Sequence, residues 1–259
     1  MTKRLRILTG AIFVCLFAAA TVLLAMSAHA RHSEVCCNGL DVIFKDSLGF
    51  IDSKDIKDCL DNGYGSYIGQ KMDSIALADI ERMLLAKGMV KSCEAWTTDN
   101  GMLHIAVSQR MPAVLLKDGS TSCYVDRDGF FFPAVKGQPE GVPTVTGTMP
   151  FSMGGLIGKL PGEKDAAWLD GLLDLLDALQ RSQKWNGAIK SVEIRKDGDI
   201  VLVSAEGGER FIFGSPDRIR EKLSMMDRYA EKIAPEKEKG YYKSVNLKYN
   251  NQIICRKDI

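Results

Sequence analysis

Gly101-Met102-Leu103-His104-Ile105-Ala106-Val107-Ser108-Gln109-Arg110-Met111-Pro112 alternates apolar Leu103, Ile105 and Val107 with His104, Ala106 and Ser108. A period of two places the first three side chains on one face, so the stretch reads as a half-buried strand that Pro112 ends. Asp99-Asn100-Gly101 just before it is a hairpin turn signal, which makes Met89 to Thr97 the antiparallel partner. Upstream, Ile75, Ala76, Ile80, Met83 and Leu84 recur at helical spacing, with Asp73 or Ser74 to begin the helix and Gly88 to end it. A shorter helix precedes it. Asp52 or Ser53 caps it, Ile56 and Leu60 share a face, and Asn62-Gly63 stops it. Leu40-Asp41-Val42-Ile43-Phe44 supplies a first strand, so residues 39–111 carry the order β-α-α-β-β.

Residues 112–259 form a second unit, expected to be mostly antiparallel β with two helices. Tyr124-Val125-Asp126-Arg127-Asp128-Gly129-Phe130 is two strands around an Asp-Gly turn. Trp168, Leu172, Leu175, Leu176 and Leu179 mark an amphipathic helix. Ala188 to Arg195, Ile200 to Ala205 and Arg210 to Phe213, separated by Asp197-Gly198 and Gly207-Gly208, read as an antiparallel meander. Ser215 and Pro216 are placed to cap and open a last helix, whose stripe is Ile219, Leu223, Met226, Tyr229, Ala230 and Ile233. Tyr241 to Leu247 and Gln252 to Cys255 close the chain as extended segments. The fold class is therefore α+β.

Residues 7–26, ILTGAIFVCLFAAATVLLAM, contain no charge and match a bilayer's hydrocarbon thickness of about 30 Å. Lys3, Arg4 and Arg6 precede them, which predicts a cytoplasmic tail of residues 1–6, a transmembrane anchor at 7–26 and an exported body. Ala28-His29-Ala30 resembles a signal-peptidase site, but the apolar run exceeds the usual secretory core of about 7–15 residues. Length favours a retained anchor.

Lys and Arg are spread along a chain of net charge +1, which argues against nucleic acid as a partner. Cys36, Cys37, Cys59, Cys93, Cys123 and Cys255 lie beyond the apolar run, where export permits disulfides. Their irregular spacing leaves buried thiols and a disulfide framework equally open, and no C-x-x-C or Cys/His grouping suggests a metal. Asp126-x-Asp128-Gly129 lacks the third oxygen ligand and closing Glu of a calcium loop, and reads as a turn. Gly154-Gly155-Leu156-Ile157-Gly158-Lys159 lacks the leading glycine and the hydroxyl residue of a phosphate loop. His104 is the one histidine of the body proper and has no catalytic motif around it, so an enzyme, a cofactor and a small-molecule substrate are not expected.

The order of elements resembles the FtsQ/DivIB family of bacterial division proteins, with a first domain similar to a POTRA module. The matching segments are Phe50-Ile51-Asp52, Ile80-Glu81, Ala95-Trp96, Gly101 to Pro112, Tyr124-Val125-Asp126-Arg127-Asp128-Gly129, Pro143-Thr144-Val145-Thr146-Gly147 and Phe213-Gly214. The resemblance implies a single-pass inner-membrane protein with its body in the periplasm at the division septum. It would dock the FtsB-like member of an FtsB–FtsL pair on a late strand edge, with other divisome membrane proteins as further partners. Carried over, that edge is Ser244, Val245, Asn246, Leu247, Lys248 and Tyr249, with Lys248 facing an acidic partner residue and Tyr249 as the aromatic anchor. Asn246 stands where the family has Asp, and Asn251-Gln252-Ile253 replaces the Gly and Trp of some relatives. POTRA modules also occur in periplasmic chaperones and outer-membrane assembly factors, which is the alternative reading.

Overall fold

The structure, a computed structural model, describes residues 16–22, 35–134, 141–206, 208–238 and 240–257. Most of the apolar stretch 7–26, the tail 1–6 and Ala28-His29-Ala30 lie outside these residues. Of the stretch, residues 16–22 are helical (α1), and no helix among the described residues is long and apolar enough to cross a membrane. The chain divides into two units, one running to Ala86 with Val90–Gln109, the other comprising Lys87–Met89 and Arg110–Ile259.

The first unit is built from β1 (Gly39–Phe44), α2 (Ser53–Gly63), α3 (Leu77–Leu85), β2 (Val90–Thr97) and β3 (Met102–Gln109). Its sheet has the order β1-β3-β2, with β1 parallel and β2 antiparallel to β3. Asp52 caps α2 by accepting from the Asp55 amide at 2.9 Å while the Asp55 carboxylate accepts from the Asp52 amide, a reciprocal cap. The second helix begins later than expected. Asp73 and Ser74 belong to a separate 3-10 turn, Met72–Ser74, and α3 starts at Leu77 without a side-chain cap. Ile56, Leu60, Ile80 and Leu84 from the helices and Leu103, Ile105 and Val107 from β3 are buried. Gln109, itself buried, accepts from the amides of Phe50 and Ile51 at 3.0 and 2.9 Å, so the strand's last residue fixes the entry to α2.

The second unit is a ten-stranded sheet with the order β13-β12-β11-β10-β9-β7-β4-β5-β6-β8. Its strands are β4 (Val114–Asp118), β5 (Thr121–Val125), β6 (Phe130–Pro133), β7 (Thr144–Gly147), β8 (Gly158–Lys159), β9 (Ile189–Ile194), β10 (Ile200–Ser204), β11 (Arg210–Gly214), β12 (Ser244–Asn246) and β13 (Ile254–Arg256). The expected meander β9-β10-β11 is present and antiparallel. Three pairings are parallel: β4 with β7, β7 with β9, and β11 with β12. Helix α4 (Glu163–Arg181) buries Leu169, Leu172, Leu175, Leu176 and Leu179 against the sheet core.

Asp126 closes the β5–β6 turn by accepting from the amides of Asp128 and Phe130, both at 2.9 Å. Its other oxygen takes the Arg110 guanidinium at 2.5 Å, and that guanidinium lies 3.7 Å from the centroid of Phe130 while its Nε donates to the Gly88 carbonyl. The arginine of the Arg-x-Pro ending and the aspartate of the Tyr-Val-Asp segment are therefore two halves of one buried ion pair.

Helix α5 (Ile219–Arg228) also starts later than Ser215 and Pro216 suggested. The Ser215 carbonyl instead accepts from the buried Lys222 ammonium at 2.7 Å, and the same ammonium binds Asp217 and lies over Phe213. Burial lowers the Lys222 pKa. Burial also pushes Asp217 up, but the hydrogen bonds from Lys222 and Ser215 outweigh it and hold the carboxyl below its usual range. Beyond α5 the chain widens into a π turn, Tyr229–Ile233, ahead of Pro235. Proline has no N–H and its ring collides with the carbonyl four residues back, so regular α geometry cannot run through it.

No disulfide joins the described cysteines. Burial pushes the Cys123 thiol up to about 11, and burial with the neighbouring Glu81 and Glu94 does the same at Cys93, so both stay protonated and weakly nucleophilic at neutral pH. Tyr229 is buried, and burial, with Glu209 and Cys255 nearby, pushes its phenol from 10.0 to about 12. The folded chain thus keeps this proton where the unfolded chain releases it. The stability it contributes is complete below pH 10.0 and is lost as pH rises toward about 12. In urea titrations across that window, Tyr229→Phe is expected to flatten the fall in stability. An unchanged slope would show that other groups set it.

Candidate docking edge

Of the six residues expected to form the edge, Ser244, Val245 and Leu247 are buried. Strand β12 pairs with β11 on one side, Phe211 opposite Val245, and with β13 on the other, Val245 opposite Cys255. It is therefore an interior strand, and the expectation that Ser244 to Asn246 present free backbone is corrected. The reason is local. Asn251 adopts φ 56, a left-handed conformation that asparagine tolerates better than most residues, and this turn folds residues 254–256 back onto β12. The Asn250-Asn251 pair was the sequence signal for that reversal.

The open edge belongs to β13. Ile254 and Arg256 are exposed and Cys255 faces the core, so the strand alternates, and among the described residues no strand lies beside its outer backbone. Tyr249, half exposed at 52%, stands on the turn that leads into this strand. Lys248 has a different role from the one expected. Its ammonium donates to Asp199 at 2.6 Å, a bond that raises its pKa and ties it within the chain. At the opposite end of the sheet β8 contributes two residues only.

The turn bearing Tyr249 is clamped. Arg218 donates to the Lys248 carbonyl at 2.9 Å and to the Asn250 side chain, and Glu221 accepts from the Asn251 amide at 3.4 Å. Arg218 itself has φ 47. Among the described residues the non-glycine positive-φ positions are Arg218 and Asn251, and Glu221 touches both. Glu221 thus ties the left-handed N-cap of α5 to the left-handed residue of the turn. Nothing in the sequence announced Arg218, because its role depends on a contact 30 residues away.

In the first unit the β2 edge is partly occupied. The Glu81 carboxylate accepts from the Ala95 amide at 2.8 Å, so the Ile80-Glu81 and Ala95-Trp96 segments meet there. Trp96 is 37% exposed and stacks on His104 with centroids 5.2 Å apart. His104 lies 3.0 Å from Asp41 and 3.2 Å from the Thr98 hydroxyl. The same hydroxyl lies within hydrogen-bond reach of the Asn100 side-chain oxygen at 2.5 Å and the Met102 carbonyl at 3.3 Å.

The fold is thus a three-stranded sheet with two helices, followed by a ten-stranded sheet whose terminal strands are β13 and β8. A POTRA-like domain model matches residues 35–108, and the model described as FtsQ/DivIB, C-terminal related, matches residues 111–256. The chain belongs to the FtsQ/DivIB family, a cell-division family of non-enzymatic scaffolds. A search of curated proteins returned no match.

Proposed function

We propose that the chain is a bitopic inner-membrane scaffold of the divisome that docks the FtsB-like member of an FtsB–FtsL pair by strand addition to β13. The apolar segment 7–26 anchors it, with residues 1–6 in the cytoplasm and both units in the periplasm at the septum. The observation that carries the docking reading is the outer edge of β13 beside the exposed Tyr249. Main-chain pairing on Ile254–Arg256 gives affinity, and the tyrosine ring on its clamped turn gives selectivity. Of the originally expected residues, Tyr249 keeps its place as the anchor, while Ser244, Val245, Asn246, Leu247 and Lys248 form the support beneath it. No catalytic step, metal or cofactor enters this reading.

Photo-crosslinking in cells tests it. A crosslinker at Ile254, Arg256 or Tyr249 is expected to capture the FtsB-like chain, and one at the interior Val245 is not. Tyr249→Ala is expected to weaken that complex by about 2 kcal/mol, roughly thirtyfold, with unfolding unchanged. Capture from Val245 alone, or full affinity in a folded Tyr249→Ala chain, would place docking elsewhere.

A further inference from the structure

Five aromatic rings stand edge to face in file at one end of the second unit. Trp185 meets Phe211 with centroids 5.5 Å apart, Phe211 meets Tyr229 at 5.5 Å, Tyr229 meets Tyr242 at 6.5 Å, and Tyr242 meets Tyr241 at 5.0 Å. They wall a cavity of about 360 Å³ whose helix side is the small Ala230 of the widened turn and Ala234 just after it. That volume lies within the range of ligand pockets, about 300–1,000 Å³. Glu206, Glu209, Glu238 and Lys237 also line it, and Lys257 stands over the Tyr241 ring at its mouth. Among the described residues no ion pair holds Glu209 or Glu238.

We propose that this cavity receives the basic side chain, arginine or lysine, of a partner polypeptide. Aromatic faces carry negative quadrupole potential and attract cations, more strongly where water is excluded. Glu209 and Glu238, which no ion pair holds among the described residues, would gain a partner from a cationic guest and none from an apolar one. The protein's own cations already show the preference at the mouth: Lys257 lies 4.5 Å and Lys237 5.6 Å from the Tyr241 ring. The Tyr229 phenol on the cavity wall is raised by burial first and by Glu209 next.

The mouth adjoins β13. Lys257 directly follows that strand, and the Lys243 amide beside Tyr242 donates to the Arg256 carbonyl at 2.8 Å. An extended segment paired on Ile254–Arg256 would run past the cavity and could lower a basic side chain into it. The choice of a polypeptide source rests on the docking edge proposed above; the preference for a cation does not.

The test uses the full chain labelled with 5-fluorotryptophan, the Trp185 resonance being assigned from Trp185→Phe. Acetyl-Ala-Arg-Ala-amide is expected to shift that resonance saturably. The citrulline peptide, isosteric but neutral, is expected to bind at least about tenfold more weakly. Glu209→Gln is expected to reduce the arginine peptide's affinity severalfold and leave the citrulline peptide's unchanged. Equal binding of the two peptides, or a Trp185 signal that neither moves, overturns the proposal. Tighter binding of tetramethylammonium than of the arginine peptide also overturns it, in favour of a small quaternary ammonium ligand. None of these probes needs β13, so failure here is distinct from failure of the crosslinking test.

Discussion

Arg110→Ala is expected to lower the unfolding free energy of the second unit by about 3–5 kcal/mol, the cost of leaving one member of a buried ion pair without its partner. The Arg110 side chain is 11% exposed and that of Asp126 6%. Removing the guanidinium strands a carboxylate in a poorly hydrated place. It also takes away the stacking on Phe130 and the hydrogen bond to Gly88. Asp126 keeps its bonds to the Asp128 and Phe130 amides, so the turn survives and the loss is energetic and not topological. Arg110→Lys should recover only part of it, because an ammonium cannot serve the carboxylate, the carbonyl and the ring together. Arg110→Ala with Asp126→Asn should cost less than the sum of the two single changes, since the second removes the unpaired charge left by the first. Urea denaturation followed by the fluorescence of Trp168 and Trp185 measures all four. A loss under about 1 kcal/mol for Arg110→Ala would show that the pair is not desolvated as its burial indicates.

Gly147→Ala is expected to cost about 3 kcal/mol or more in the same assay. Gly147 has φ 123 and lies opposite Ile194 in the parallel pairing of β7 with β9. A Cβ there would sit 2.0 Å from the Ile194 carbonyl oxygen and 2.8 Å from its nitrogen, both backbone atoms of a central strand that cannot step aside. Gly155→Ala is the control. It too has positive φ, but open space surrounds it, so it should cost only the left-handed penalty of about 1–2 kcal/mol. Equal losses at the two positions would mean that the approach of β9 is not what demands glycine.

How far the sequence disclosed this molecule follows from the range of the interactions involved. The β2–β3 hairpin was legible because Asp99-Asn100-Gly101 and the alternation of Leu103, Ile105 and Val107 are local signals, and Gly101 duly has φ 86. The Asp126–Gly129 turn was legible for the same reason, whereas its tie to Arg110 rests on folded proximity. The insertion of β7 between β4 and β9 was not readable, since parallel neighbours are joined by long connections that leave no mark at the strand. The starts of α3 and α5 were misplaced where tertiary contacts override capping chemistry: Ser215 looks like a cap, but its carbonyl is engaged by the buried Lys222. The docking site was read one strand too early. Position near the chain's end suggested an edge, yet three residues after an Asn-Asn turn were enough to cover Ser244 to Asn246.

The inequality of the two sheet ends has a consequence for assembly number. Strand β8 offers two residues, Gly158 and Lys159, too little backbone to template a neighbour, while β13 offers three and a tyrosine beside them. On the proposed docking reading, the ten-stranded sheet therefore takes its guest at one terminus, which limits that sheet to one captured segment.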